Sequence, residues 1–542
     1  MKPLPSHPNI DQLKRQAKDL LAAVQRRTPE AMERFQASLP AAAPLSTDKL
    51  SGLRLHDAQS CIAREYGFAS WRALRDFVEM ARARSSNPVE LAASFSRLAY
   101  AGDIAGGMDR SKPELAARYL ALLALHGPLD PWIACATGDI SVVQSRLDED
   151  PSWIAEPGGP LGLPPLVSAT HSGLIRLPEH RTGIVDTVAL LLNAGADPNQ
   201  SVGNRWPPAS VEQPSPDHRL SALYGAAGVN HDADLTRLLL DAGADPNDNE
   251  SLYHALEGSD KTIISLLLDA GAVVEGTNAL YHALDFDDLE TFRLLLAKTG
   301  TLDHPDLGPL LLWAIRRRRS ASHIEAILAA GADPKAMAKD GTSAFVQALR
   351  YGLPEVADLL KGAGAVEELG DADLFLAACA DANAVEAHRL QARNPQFPTE
   401  LEEAQLKLLP ELAAAGHSDA VRLMAELGWP LDIKGGDWNA TALNHAVMRG
   451  DAALTRALIK HGSQWTDEHG FGDNACGTLS WASINSPEPD GDWVACAEAL
   501  VAGGLPGAVR DPEHPDRVLM AGVRRHFSDA VTQYLLSVRD GP

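Results

Sequence analysis

Two tyrosine–histidine pairs, Tyr253-His254 and Tyr281-His282, stand 28 residues apart, and His445 follows Asn444 in a comparable phrase further on. Imidazoles held in register could bind a metal ion or relay protons, since histidine titrates near neutrality and is a common metal ligand. No cysteine or carboxylate is read as recurring with them, so the pairs are expected to be bulky residues packed between helices. Asp490-Gly491-Asp492 lacks the remaining ligands of a cation loop and reads as an acidic surface turn. Five cysteines (Cys61, Cys135, Cys379, Cys476, Cys496) are far apart and without metal-like spacing, which suits buried core thiols. The patterns GxxxxGK[ST], GxSxG, HExxH and an EF-hand loop are missing. The expectation is a non-enzyme without cofactor or metal.

Residue types suited to recognition are more plentiful. Arg316-Arg317-Arg318-Arg319 is a basic cluster in a chain of net charge −24, and Arg350 and Tyr351 lie one unit further along. Asp285, Asp287 and Asp288 make an acidic neighbour. Arginine and tyrosine often carry interface energy, although cations also favour helix C-termini with no partner at all. Near the N-terminus, Leu55–Glu79 has Gly67 ending one helix and Ser70 capping the next. That could be a DNA-binding helix-turn-helix using Arg72 and Arg75. The same stretch reads more simply as a helical hairpin around Tyr66, Phe68, Trp71, Leu74 and Phe77. Asp76 and Glu79 on the second helix favour the hairpin, as does a modest excess of 14 Lys/Arg over 10 Asp/Glu in residues 1–90.

The elements that must position these residues are repeats. LLLDAGADPND, from Leu238 to Asp248, recurs in worn form from Leu190, Leu266, Ala326 and Leu359, and more faintly from Met424 and Leu458. Aliphatics close an amphipathic helix, and a glycine follows where the helix must stop. Glycine takes the left-handed conformation without steric cost, so Gly195, Gly243, Gly271, Gly331 and Gly364 are predicted C-caps. Gly243, Gly271, Gly300, Gly331 and Gly364 lie 28 to 33 residues apart. A second signature is a capped helix start: Ser221, Asn278, Ser343 and Thr441 are predicted N-caps. Each start leads to an alanine (Ala169, Ala226, Ala255, Ala283, Ala314, Ala348, Ala446, Ala482) where neighbouring helices would come closest. A chain of 542 residues exceeds one hydrophobic core, and such periods point to an elongated array. Strong acidity disfavours nonspecific nucleic-acid or anionic-membrane binding. No signal-like segment or membrane span is read, so the expectation is a cytoplasmic protein; a monomer is the default expectation, with the oligomeric state left open by the sequence.

On this phrase, this spacing and the hairpin Asp340-Gly341-Thr342-Ser343, the chain resembles the ankyrin repeat, a β-turn finger followed by two antiparallel helices. The resemblance implies an all-α, ankyrin-like repeat solenoid of helix-turn-helix pairs over residues 129–540, about eleven or twelve units. It would be preceded by a helical module at 1–87 and a transition or degenerate first unit at 88–128. The module resembles a short helical segment that often precedes such arrays, through LKRQAKDLL and DAQSCIAREYGFASW. The histidine of the family's TPLH phrase is replaced by Tyr224, Tyr253, Tyr281, Val346 and Asn444. Two units are short, between Asn247 and Leu252 and between Glu275 and Leu280, which predicts tight turns and a gap among the fingers. Pro-rich residues 200–220 are expected to project, and VLMAGVRRHFSDAVTQYLLSV is expected to be a capping helix pair. The family's groove maps by spacing onto His171, Val229, Glu257, Asp285, Phe286, Arg316, Arg317, Arg350, Tyr351, Met448 and Arg449. The function implied is non-catalytic protein–protein recognition, with the Arg316–Tyr351 region drawing an acidic partner segment. The alternative is a DNA-binding regulator using residues 55–80.

Overall fold

The structure, a computed structural model, describes the chain apart from residues 1, 3, 6–7, 40–52, 54, 84–86, 108–109, 208, 300–305, 486–489, 512–516 and 539–542. Helix accounts for 58% and strand for 4%, so the fold is all-α. Packing divides the chain into two compact units: residues 1–10 with 68–302, and residues 11–67 with 303–542. The stretch 1–87 is therefore shared between units, with the division at Gly67. Helices Leu55–Glu65 and Trp71–Ala83 fall on opposite sides of it. Gly67 is left-handed (φ 88°), and Ser70 Oγ accepts from the Ala73 N–H at 3.2 Å, as the sequence predicts. Of the five residues expected to pack there, Phe68 and Phe77 are in ring contact at 5.1 Å. Leu74 is buried, but Phe77 is 46% exposed. The Arg72 side chain lies outside the described residues.

Both units are built from one repeated local motif. Gly195, Gly243, Gly271, Gly331, Gly364, Gly428 and Gly462 close the second helix of their pairs with φ between 87° and 103°. The next N–H then reaches back over the helix end: Ala244 to Leu239 O at 2.9 Å, and Ser463 to Leu458 O at 3.0 Å. This satisfies carbonyls that a bare helix end would leave unpaired. Gly300 lies outside the described residues. The turn between the two helices of a pair repeats the device at Gly138, Arg318, Gly352, Ala382, Gly416 and Gly450, with φ between 53° and 81°. Here the following N–H bonds Ala134, Ala314, Ala348, Ala378, Leu412 and Ala446 respectively. The small residues singled out in the sequence, from Ala169 to Ala482, are all buried. Ser221, Ser343 and Thr441 accept the capping N–H of Tyr224, Val346 and Asn444. Asn278 does not cap its helix; Thr277 Oγ1 accepts from the Ala279 N–H instead.

In the unit of residues 68–302, the two short repeats do close through tight turns. Asp248 organises the first, accepting from the N–H groups of Glu250 and Ser251 and from the hydroxyls of Ser221 and Ser251. Residues 200–220 do not project freely. Ser201–Gly203 pairs antiparallel with Arg219–Ser221. Buried Arg205 donates to the Ile104 carbonyl at 2.9 Å and the Leu161 carbonyl at 2.7 Å, tying the insertion down.

In the unit of residues 11–67 and 303–542, helix Ile10–Gln25 buries Leu13, Ala17, Leu20, Leu21 and Val24 on one face, as the spacing predicts. Gln59 Nε2 donates to Asp529 Oδ2 at 3.3 Å, so helix Leu55–Glu65 packs on the last helix, Asp529–Ser537. The expected C-terminal helix pair is a meander of Val509–Arg510, Val518–Met520 and Val523–Arg525 followed by that single helix. Ala521 and Gly522, both at positive φ, form a two-residue hairpin turn that a helix could not contain.

Candidate functional site

In the unit of residues 68–302, the ends of successive first helices carry an unbroken row of rings. The His171 and Tyr224 rings meet edge-on with centroids 5.6 Å apart, and Tyr224 and His254 are 5.2 Å apart. Tyr253 and His282 stack at 3.9 Å with only 6° between planes, and Phe286 meets His282 edge-on at 5.0 Å. Two glycines make room. A Cβ on Gly225 would lie 2.4 Å from the His171 ring, and one on Gly228 would lie 2.6 Å from the Tyr224 ring. The register predicts a large residue at each of these positions. The structure adds that the rings of consecutive units touch one another.

Carboxylates run alongside, contrary to the expectation that none recurs with the histidines. His254 lies between Glu250 (Nε2 to Oε2, 3.3 Å) and Glu257 (Nδ1 to Oε1, 2.9 Å). His282 bonds Asp285 (Nδ1 to Oδ2, 2.9 Å) and faces Glu257 at 3.6 Å, an ion-pair distance beyond hydrogen bonding. The pattern was legible: Tyr-His-Ala-Leu is followed by Glu257 in one copy and Asp285 in the next, three residues beyond each histidine. On a helix that spacing places acid and imidazole on one face. Burial disfavours the His254 imidazolium, but its bonds to Glu250 and Glu257 outweigh this and raise the ring to about 9. Burial likewise opposes the Glu257 carboxylate, and its two histidine partners overcome that and hold it down at about 2. His282 is also raised, by Asp285 and Glu257 against its own burial. At neutral pH His254 is thus an imidazolium held between Glu250 and Glu257, and His282 is shifted in the same direction. Among the described residues, no group of three or more His, Cys, Asp or Glu is placed to hold a metal ion.

The groove residues taken from the resemblance divide into three kinds. Glu257, Asp285 and Phe286 are exposed on this ladder. His171 is not accessible: it is 1% exposed, its Nε2 bonds the Ser221 carbonyl at 2.8 Å, and burial lowers its pKa. Val229 is half-buried, and its carbonyl accepts from Arg176 at 2.8 Å.

In the unit of residues 11–67 and 303–542, the arginines are already matched by carboxylates of the same chain. Arg316 bonds Glu411 at 2.9 Å and pairs with Asp437 at 3.2 Å. Arg317 pairs with Asp437 at 2.8 Å and lies over the Trp313 ring at 4.3 Å. Arg350 pairs with Asp373 at 2.8 Å. Tyr351 is half-buried, and burial pushes its hydroxyl pKa up. Met448 and Arg449 are also half-buried, and the Arg449 guanidinium lies against Gly416. Of the expected basic patch, Arg316, Arg317 and Arg350 are therefore held in a lattice of internal ion pairs. Its acidic halves, Glu411 and Asp437, lie about three units downstream, where one-dimensional spacing gives no hint of contact.

Residues 223–306 match the ankyrin-repeat family, in three copies. No curated protein matches the chain. Among solved structures it is similar to the human ASB11 ankyrin repeat domain, at 18% identity and a TM-score of 0.21, over 42% of this chain and 99% of that one. The segment matched to the family contains the whole ladder from Tyr224 to Phe286, and its helix pairs and glycine caps are those of the repeat. The chain thus carries ankyrin repeats within residues 223–306. Such repeats generally mediate protein–protein interaction. No helix among the described residues is long and apolar enough to cross a membrane.

Proposed function

We propose that the chain is a non-catalytic recognition scaffold and that the ladder within residues 223–306 docks a basic segment of a protein partner. The observation that carries this is the exposure of Glu257, Asp285 and Phe286 beside the stacked Tyr253 and His282 rings. Aromatic faces and carboxylates together suit the alkyl stem and charged head of lysine or arginine. The overall charge of −24 favours encounter with such a segment. The arginines of the other unit support this role less well, because Arg316, Arg317 and Arg350 already hold carboxylates.

The test is affinity purification from the source cell with three baits: the native chain, Glu257→Lys/Asp285→Lys, and Asp241→Lys as an outer-helix control. Proteins retained by native and control baits but lost from the double variant would be groove partners, and their binding should weaken as salt rises. Identical partner sets for all three baits would remove the ladder from the binding role.

A further inference from the structure

Carboxylates in the unit of residues 68–302 are held by two kinds of cation. Away from the ladder the partners stay charged to high pH: Arg181 pairs with Asp232 and Asp234 at 2.9 Å, and Lys261 pairs with Asp288 at 3.1 Å. On the ladder the cation is imidazole, which can be discharged. Glu257 meets His254 and His282, and among the described residues no lysine or arginine pairs with it. Both rings approach the same oxygen, Oε1, of this exposed carboxylate. Glu250 meets His254 in the same way, at 3.3 Å.

The other titratable groups against the pair hold their charge state above neutral pH. Tyr224 packs on His254 and Tyr253 on His282, and burial raises both hydroxyls, so they stay neutral. His231, whose field reaches His254, is lowered by burial and is uncharged above pH 7. Glu250, Glu257 and Asp285 are the carboxylates facing the two rings, and carboxylates do not titrate in this range. What changes charge is His254, which Glu250 and Glu257 raise to about 9 in spite of its burial, and His282, shifted in the same direction.

We infer that the two histidines are the ladder's own competitors: they hold Glu257 where a partner's cation would sit, and docking of a basic segment is coupled to loss of a proton from the pair. This rests on the ladder being the docking face of the proposed function. The chemistry is proton transfer alone. The imidazolium gives its proton to solvent, the carboxylate keeps its charge, and the incoming guanidinium or ammonium pairs with it. A second cation beside the same carboxylate disfavours the imidazolium, so affinity for a basic segment rises as pH climbs through the His254 midpoint. Loss of one screened, charge-assisted bond lowers that midpoint by roughly 0.7 unit, which is about fivefold in affinity.

The experiment titrates the full chain with an end-blocked oligoarginine peptide, whose charge is constant in this range, at fixed ionic strength. Calorimetry should show affinity rising about fivefold between about pH 7 and about pH 9.5. Near pH 8.5, two buffers of different ionisation enthalpy should report release of a fraction of a proton. Glu257→Lys/Asp285→Lys should lose the peptide, which places it on the ladder. His254→Gln removes the competing charge and keeps an amide donor, so it should bind more tightly than the native chain at pH 7 and with less pH dependence. Urea unfolding checks its fold; should it unfold, the native pH series decides alone. Native binding that is flat across this range without proton release would overturn the inference and leave the docking face standing. Weaker binding by folded His254→Gln would do the same, since it would make the ring a contact for the partner's cation. No binding by the native chain, or native-like binding by the double variant, would instead remove the docking face and the inference with it.

Discussion

Replacing Glu257 by glutamine tests the charged ladder directly. Among the described residues, Glu257 is the one carboxylate that faces both histidines, at 2.9 Å from His254 and 3.6 Å from His282. A hydrogen bond to a charged group contributes about 1.5–3 kcal/mol when sheltered. The Glu257 side chain is 42% exposed, so solvent screening reduces that to about 1 kcal/mol. One pKa unit corresponds to about 1.4 kcal/mol, so His254 should fall by roughly 0.7 unit from its native value. His282 should fall with it. His254 keeps Glu250, so it should still titrate above an ordinary histidine. The sign for stability follows. The folded pKa of His254, about 9, exceeds the unfolded value of 6.5, so its contribution is complete below pH 6.5 and is lost as pH rises through 9. Glu257→Gln should therefore cost about 1 kcal/mol near pH 6, and progressively less above pH 9. Histidine-resolved NMR titration gives the midpoints, and urea unfolding at several pH values gives the stability difference. A native His254 midpoint near 6.5, or one unchanged by Glu257→Gln, would refute the reasoning.

Three further outcomes follow from the packing. Gly225→Ala would drive a methyl into the buried His171 ring, and overpacking of this kind costs about 1–3 kcal/mol, readable as a lower urea midpoint. Arg205→Ala would leave the Ile104 and Leu161 carbonyls without their donor; about 2–3 kcal/mol of local stability should go, with faster proteolysis and hydrogen exchange confined to residues 201–221. Gly364→Ala, at φ 99° with open space around the new methyl, should cost about 1 kcal/mol through backbone strain alone. A smaller effect there than at Gly225 would separate strain from crowding.

What could be read from the chain in one dimension was whatever repeats at short range. Leu238–Leu240 followed by Gly243 predicts a helix and its stop, because a hydrophobic face and a left-handed cap are properties of a dozen neighbouring residues. The buried alanines and the caps at Ser221, Ser343 and Thr441 were legible for the same reason. The Tyr-His-Ala-Leu-acid phrase is equally local, since an acid three residues after a histidine sets up an ion pair on one helix face. Asn278 shows the limit of even local reading, since Thr277 beside it offers an equivalent oxygen.

Contacts between distant repeats belong to the tertiary structure alone. Arg316 meets Glu411, Arg205 reaches Ile104, and Gln59 reaches Asp529 through 95, 101 and 470 residues of chain. Periodicity places each residue on its helix. Which carboxylate meets which arginine depends on how small rotations between successive repeats add up, and no single repeat encodes that sum. So the sequence by itself determined the kind of unit and where each one ends. Only the folded chain decided that Arg316, Arg317 and Arg350 are spent on carboxylates of the same chain, while Glu257, Asp285 and Phe286 remain exposed.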